Sequence, residues 1–382
     1  MAVDYLQVRQ EIEQLANLAP ESAERLKSKQ EQAAELLEKY SDQLDYLREK
    51  AQRASQLVPH FHVALPTTEP LNSSFPLPNV MPDLTLIAAD GSQINPDRHM
   101  GTDFCMVNIG TIQLRPGSDL APITKIESNL FYGEDVVSMQ EDTVALLRDM
   151  REREVLAELA EKTDAPVITL TDGAVELWNR SAGSAEERDK NRDRYFAALG
   201  RLSKINAITA GYVDRPRTSL LVRLLEIAPE EIQPKDAGDS RQLSGLLDTD
   251  LLETVIRPGE RSAIFGMLTR TSLQYRDAFA LHFFYLNVSM RENKPILAKV
   301  EIPAWVAEVP EMVNALHAAL VEQCQIMNTA CYPYVLARAD EIAVVKMKDK
   351  QKVTDMIANA LRSRGLDVSG KSSKQQGKDV AR

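Results

Sequence analysis

The chain has 382 residues, of which 44% are hydrophobic and 26% are charged, and its formal net charge is −11. This length suffices for one large domain or two smaller ones with a substantial core. The acidic balance argues against a general electrostatic attraction to nucleic acid, although a local basic groove remains compatible with it.

The N-terminal segment has the apolar periodicity of helices. Residues 4 to 18 form one helical pattern, and a second series of apolar positions alternates at spacings of four and three residues. This heptad seam predicts a helical hairpin or coiled-coil arm over residues 1–57. A long helix packed on its own domain fits the same spacing equally well. The seam consists of Ala33, Leu37, Tyr40, Leu44, Leu47, Ala51 and Ala54.

A proline-rich stretch follows, LVPHFHVALPTTEPLNSSFPLPNVMP. It has too many prolines and too little periodicity for a regular element, so residues 58–83 are predicted to be a connector. The connector marks the boundary of a main domain over residues 84–365.

The main domain alternates between strand-like and helical patterns, which predicts an α/β sheet covered by helices. The strand-like runs are 84–89, 104–114, 167–170, 207–213, 283–288 and 296–302. The helical patterns cover about 138–162, 186–203, 218–227, 305–327 and 333–363. The polar, lysine-bearing tail 366–382 is predicted to be disordered.

Two apolar runs each lead into an Asp-Gly pair. Leu84 to Ala89 precede Asp90, and the run from Val167 to Leu170 precedes Asp172. A rigid strand fixes a carboxylate oxygen, and a following glycine lets the backbone turn away without blocking a ligand. A single Asp-Gly pair is most often an ordinary turn. Two pairs after two apolar runs favour a pair of carboxylates that hold a divalent cation, because neighbouring carboxylates otherwise repel each other.

The helix between these strands offers a third acid. Leu147, Met150 and Ala157 fall on one face, and Glu154 lies in the middle of that face, whereas Glu152 projects to its flank. A carboxylate on an inward face is costly unless it is paired or binds metal. A salt bridge to one of the neighbouring arginines is an equally good explanation of Glu154.

Two further segments carry candidate site residues. In AGYVDRPRTSLLVRLL, Arg215 and Arg217 precede a helix that opens near Thr218, an arrangement that suits phosphate oxygens. Their alternative is a surface salt bridge. In CYPYVLARADEIAVV, Asp340 lies on a largely apolar helix and is expected to face inward.

The cysteine count bears on the compartment. Cys105, Cys324 and Cys331 are an odd number without zinc-ligand spacing, which favours buried thiols in a reducing cytoplasm. The N-terminus MAVDYLQVRQEIEQL is charged and lacks the apolar run of a signal peptide. No segment approaches the roughly 20 apolar residues of a membrane span. We expect a cytoplasmic protein without membrane contact.

The ordered set of motifs resembles the NurA-type DNA nucleases. The resemblance rests on AADGSQ, on a helix glutamate before ITLTDGAVELW, and on GYVDRPRTSLLVRLL, HFFYLNV, AKVEIPAW and YPYVLARAD, which together span about residues 84 to 345. It implies an RNase H-like mixed sheet, manganese as cofactor with magnesium as the alternative, a homodimer, and a HerA-type hexameric ATPase as partner.

The resemblance also implies site residues and an activity. Asp90 and Asp172 match the metal-binding aspartates of the family, Glu154 matches its helix glutamate, and Asp340 stands where many members have histidine. The implied activity is 5′ to 3′ exonuclease and single-strand endonuclease cleavage in DNA end resection and double-strand break repair. Two metal ions would act in phosphodiester hydrolysis, while Arg215 and Arg217 would hold DNA phosphates.

Two other functions remain compatible with the sequence. A non-catalytic adaptor for a DNA motor ATPase would keep the fold without cutting DNA, and Asp340 and the acidic charge leave this alternative open. A metal-dependent phosphatase would act on small substrates. Activity on single-stranded DNA and on a nucleotide monoester would separate the three.

Overall fold

The computed structural model describes residues 3–58, 61–79, 83–96, 104–133, 136, 139–164, 166–177, 185–229, 242–291 and 294–366. Apart from Leu366, the tail predicted to be disordered lies outside these residues. The chain divides into two compact units. The first comprises residues 1–77 and 213–304, and the second comprises residues 78–212 and 305–382.

The regular elements follow one another in the order helices, strands, then alternating strands and helices. In chain order they are α1 (Tyr5–Tyr40), α2 (Leu44–Leu57), β1 (Val63–Pro66), β2 (Ser74–Phe75), β3 (Thr85–Ile94), β4 (Phe104–Leu114), β5 (Ile123–Tyr132), α3 (Glu141–Ala160), β6 (Val167–Asp172), α4 (Ala185–Lys204), β7 (Ile208–Val213), α5 (Leu220–Ile227), α6 (Asp248–Leu252), β8 (Arg261–Ser262), β9 (Phe265–Leu268), β10 (Leu281–Asn287), β11 (Leu297–Pro303), α7 (Ala304–Ala307), α8 (Pro310–Ile326), α9 (Tyr334–Ala343) and α10 (Met347–Arg362).

The first unit is built on antiparallel strands. β1 pairs with β9, β9 with β10 and β10 with β11, while the short strands β2 and β8 pair with each other and β8 also pairs with β10. β1 and β2 lie in the segment that was predicted to have no regular element, so that prediction is wrong. Proline is tolerated in β1 because Pro66 ends an edge strand, where a missing N–H costs least.

The heptad seam packs within the first unit. The seam residues of α1 and α2 are buried apart from Leu44, α2 packs against β1, and both helices contact α5. The seam is therefore satisfied by its own unit. The preceding part of α1, up to Leu26, leaves its large apolar side chains exposed.

The second unit holds a mixed sheet. Its strand order is β5-β4-β3-β6-β7, in which β3, β4 and β5 are antiparallel and β3, β6 and β7 are parallel. α3 and α9 both pack on β3 and β4, and α4 packs on α3. The predicted α/β class and the mixed sheet covered by helices are confirmed. β5 was not predicted, because it lies at the sheet edge with no buried residue, and two of the three positions that alternate as half-buried are the polar Glu127 and Asn129.

Candidate active site

The two Asp-Gly elements end in different ways. β6 ends at Asp172, and Gly173 follows with a φ of +98°, so the chain turns away as predicted. β3 instead continues through Asp90 to Ile94, because β4 pairs with it over that whole length. Only the parallel pairing with β6 ends beside Asp90, at Ala89↔Thr171. The prediction that Asp90 ends its strand is therefore wrong, although Asp90 and Asp172 do lie together.

Asp340 reaches the same place from α9, but its residue is exposed, so the prediction that it faces inward is wrong. Asp90 lies opposite Gly110 in the β3–β4 ladder. A β-carbon on Gly110 would lie 2.6 Å from both the Ala339 carbonyl oxygen and the Ala343 amide nitrogen, so α9 packs directly on the backbone of β4. The absence of a side chain at Gly110 thus brings the helix that carries Asp340 close to Asp90.

The helix acid beside these aspartates is Glu152. Its residue is 7% exposed, and its carboxylate lies against β3, where a β-carbon on Gly91 would be 2.7 Å from Glu152 Oε1. Glu154 instead accepts hydrogen bonds from Arg194 at 2.8 Å and Arg151 at 3.4 Å. The prediction that Glu154 faces inward and Glu152 projects to the flank is therefore wrong. α3 buries residues around most of its circumference, so its apolar positions do not single out one inner face.

A cavity of about 440 Å³ joins these side chains. Six acidic side chains and two arginines line it, and four of the acids come from the elements α3, β3, β6 and α9. The residues concerned are Asp90, Glu152, Asp172, Asp340, Arg148 and Arg153, and the rest of the wall includes Asp149, Thr171, Glu176 and Tyr195. Glu154 does not line this cavity.

Burial and mutual repulsion perturb the acids in this cavity. Burial is the largest cause that raises the pKa of Asp90 to about 6, and the charges of Asp172 and Asp340 add to it, against a hydrogen bond from the Gly91 amide that lowers it. Burial likewise raises the pKa of Glu152 well above its ordinary value. The acids therefore hold their negative charge at a cost that a bound cation would relieve.

The donors in the cavity suit a hard divalent cation. All four are carboxylates, which favour magnesium or manganese over softer metals. As the side chains stand, no three His, Cys, Asp or Glu side chains among the described residues form a group that could hold a metal ion. The guanidinium of Arg148 lies among them, 2.7 Å from Asp149 and 3.5 Å from Glu152. Binding a metal would require this arginine and the acids to move.

Arg215 and Arg217 lie in the first unit and do not line the cavity. The Arg215 side chain is 83% exposed, with Asp214 at 3.9 Å, and Arg217 is also exposed. The following helix, α5, begins at Leu220. The buried Asp248 carboxylate accepts hydrogen bonds from the amides of Leu220 and Val222 at 2.8 and 2.9 Å. These amides are therefore already hydrogen-bonded. The prediction that they add to phosphate binding is wrong.

A mixed sheet with an acid-lined cavity at the end of its central parallel pair defines an α/β protein with a candidate metal-dependent active site. The NurA domain model matches residues 84–345, which is more than two thirds of the chain. The chain belongs to the NurA family. No curated protein sequence matches it.

Several solved structures resemble this chain in fold. The NurA nuclease from Sulfolobus solfataricus is 14% identical with a TM-score of 0.49, and the match covers 84% of this chain and 92% of that one. The catalytic domain of human endonuclease V is 14% identical with a TM-score of 0.34, over 74% and 85% of the two chains. LC9-RNase H1, a type 1 RNase H, is 18% identical with a TM-score of 0.21, over 33% and 60%.

Two further expectations concern the thiols and the membrane. Cys105, Cys324 and Cys331 are buried thiols outside any disulfide, as predicted, and burial raises the pKa of Cys105 to about 11. Among the described helices none is both long and apolar enough to cross a bilayer.

Proposed function

We propose that the protein is a metal-dependent DNA nuclease that cleaves phosphodiester bonds by hydrolysis. The observation that carries this proposal is the meeting of Asp90, Glu152, Asp172 and Asp340 in one cavity of a NurA family member. Glu152 takes the place that the sequence had suggested for Glu154. Manganese is the proposed cofactor, with magnesium as the alternative, because all four donors are carboxylates.

Each side chain has a distinct part in the proposed reaction. Asp90 and Asp172 would hold the metal from adjacent strands, while Glu152 and Asp340 would hold it from helices on either side. Bound divalent cations would supply a water of lowered pKa for attack and stabilise the leaving oxygen. Arg148 would leave the acids and remain in the cavity as a cation available to the substrate. Outside the cavity, Arg215 and Arg217 remain proposed contacts for DNA phosphates through their side chains alone.

The remaining parts of this proposal concern the direction of cleavage along the strand, the cellular process and the cellular location. We propose 5′ to 3′ exonuclease and single-strand endonuclease activity in DNA end resection and double-strand break repair, as the family resemblance implies. A cytoplasmic location is proposed because all three cysteines are reduced thiols outside any disulfide.

Partner binding is proposed for the exposed part of α1. Several large apolar side chains on this one helix are more than half exposed, which is unusual. They include Leu6, Ile12, Leu15 and Leu18. This surface supports contact with a second copy of the chain or with a HerA-type hexameric ATPase. Comparing the full chain with a variant lacking residues 1–27, by sedimentation and by ATPase capture, tests both partners.

The activity is tested with end-labelled single- and double-stranded DNA in manganese. Wild type should degrade DNA only when the metal is present, and Asp90→Asn and Asp172→Asn should abolish cleavage. Glu154→Gln is the matched control, because it removes a carboxyl from the same region but outside the cavity. Retained cleavage in both aspartate variants would refute the nuclease, hydrolysis of a nucleotide monoester alone would indicate a phosphatase, and DNA binding without cleavage would favour the adaptor.

A further inference from the structure

Arg153 is a buried cation on the wall of the acidic cavity. Its residue is 2% exposed, and its Nη2 donates a hydrogen bond to Thr171 Oγ1 at 3.0 Å. The guanidinium carbon lies 5.7 Å from the centre of the Tyr195 ring. The other two nitrogens, Nε and Nη1, are buried and have no hydrogen-bond partner among the described residues.

This environment differs from that of Arg151, two residues earlier on the same helix. Arg151 donates to Glu127 at 2.7 Å and to Glu158 at 2.7 Å, and its pKa is raised mainly by the hydrogen bond to Glu127. α3 therefore carries one arginine whose guanidinium is hydrogen-bonded to carboxylates and one with two donors that have no hydrogen-bond partner among the described residues. A guanidinium stays protonated when buried, so its free donors remain costly until an acceptor arrives.

The charge and the volume of the cavity limit which acceptor can bind to Arg153. Its carboxylates repel a free anion, so an anion that enters must bring or share a cation. A phosphodiester meets this condition, because its oxygens bind a divalent cation and a guanidinium at the same time. The cavity is also large enough, at about 440 Å³, for a phosphate group with part of its sugar.

We propose that Arg153 binds a phosphate of the DNA strand within the acidic cavity, through its unpartnered Nε and Nη1 donors. The inference rests on the proposed nuclease function and adds a substrate-binding residue to it. Thr171 and Tyr195 position the guanidinium, one by accepting a hydrogen bond and the other through its ring face.

The test compares Arg153→Met with Arg151→Met in the full chain. Methionine keeps much of the side-chain length without charge or donors. In EDTA and without DNA, Arg153→Met should melt at or above the wild-type temperature, because a buried charge without a carboxylate partner is replaced by an apolar group. Arg151→Met should melt lower, because it leaves Glu127 and Glu158 without their partner.

DNA binding should rank the two variants in the opposite order, with the larger loss of affinity in Arg153→Met. Fluorescence anisotropy with a labelled single-stranded oligonucleotide in calcium, a hard cation that carboxylates bind and that can enter with the phosphate, should give Arg153→Met at least tenfold weaker binding, since hydrogen bonds to charged groups are the strong ones. Arg151→Met should bind within about twofold of wild type, because its surface pairs are outside the cavity. In manganese, Arg153→Met should raise KM, and Arg153→Lys should restore part of the affinity.

The outcomes separate this inference from the function on which it rests. If wild type cleaves DNA and Arg153→Met binds DNA like wild type, the phosphate assignment is wrong and the nuclease stands. If Arg153→Met also melts as low as Arg151→Met, Arg153 has a structural role instead. If wild type neither binds nor cleaves DNA, the nuclease proposal and this inference fail together.

Discussion

Substituting Gly110 with alanine tests whether the approach of α9 to the sheet sets the geometry of the acidic cavity. Gly110 lies opposite Asp90 in the β3–β4 ladder, and α9 carries Asp340. A β-carbon on residue 110 would lie 2.6 Å from the Ala339 oxygen and from the Ala343 nitrogen, and 3.0 Å from the Ile342 carbonyl carbon. All three atoms belong to the helix backbone, which cannot rotate aside as a flexible side chain can.

The size of the effect follows from these distances. Ordinary van der Waals contacts begin near 3.4 Å, so relieving a 2.6 Å contact requires a shift of about 0.8 Å in α9 or β4. Overpacking of this kind costs about 1–3 kcal/mol of unfolding free energy. A misplacement near 1 Å at a catalytic centre can lower the rate about 100-fold. We therefore expect Gly110→Ala to lose about 1–3 kcal/mol of stability and to cleave DNA roughly 10- to 100-fold more slowly.

The assay measures manganese-dependent cleavage of end-labelled single-stranded DNA beside urea unfolding of the same preparations. Gly266→Ala is the matched control, because Gly266 is also a strand glycine and its β-carbon would meet Leu65 at 3.2 Å in the first unit. It should lose less stability and keep the wild-type rate. A wild-type rate in Gly110→Ala, or an equal loss of rate in Gly266→Ala, would refute the role assigned to α9.

Four other predictions concern charge and the N-terminal helix. Asp90 has a pKa of about 6 when folded, against an ordinary value of 3.8, so the folded state binds more protons between these pH values, and wild-type stability should fall by about 2–3 kcal/mol as pH rises through them. Melts in EDTA should therefore show Asp90→Asn gaining on wild type from pH 4 to pH 7, and a gain independent of pH would contradict this. Glu152→Gln should abolish manganese-stimulated cleavage while Glu154→Gln should only lower stability, as paired rate and melting measurements would reveal. The reverse pattern would indicate that Glu154, and not Glu152, is the helix acid of the site. Asp340→Ala should weaken manganese binding and rate together and Asp340→His should recover part of both, whereas unchanged half-saturation in the alanine variant would remove this residue from the site. Deleting residues 1–27 should leave the thermal transition unchanged while reducing self-association or ATPase capture, since the buried residues of α1 begin after residue 27. A product without a cooperative thermal transition would show that this segment belongs to the core.

Local sequence patterns sufficed to predict which strands carry the aspartates and which helix carries Asp340. Apolar runs that end in a carboxylate are local patterns, and Asp90 and Asp172 could therefore be selected without knowing which strands pair. The apolar positions of α9 indicate its packed face in the same way, and Asp340 lies beside it at the cavity. The ordered motifs also sufficed for the family.

The choice between Glu152 and Glu154 depends on how the folded chain packs around α3. The two positions point in very different directions on a helix, and α3 is buried around most of its circumference, so its hydrophobic pattern marks no single inner face. The pairing of Glu154 with Arg194 joins residues 40 positions apart, which no local pattern reveals.

The same reason explains the other features that the sequence did not reveal. Asp248 blocks the N-terminus of α5 from 28 residues away, so the amides that looked free for phosphate are occupied. β5 has no buried face to produce an alternating pattern. The two unpartnered donors of Arg153 are also a property of the folded chain, because Nε and Nη1 lack an acceptor only once burial has removed water from them. Local periodicity records which residues a chain buries, whereas the partners that those residues meet depend on which distant segments pack beside them.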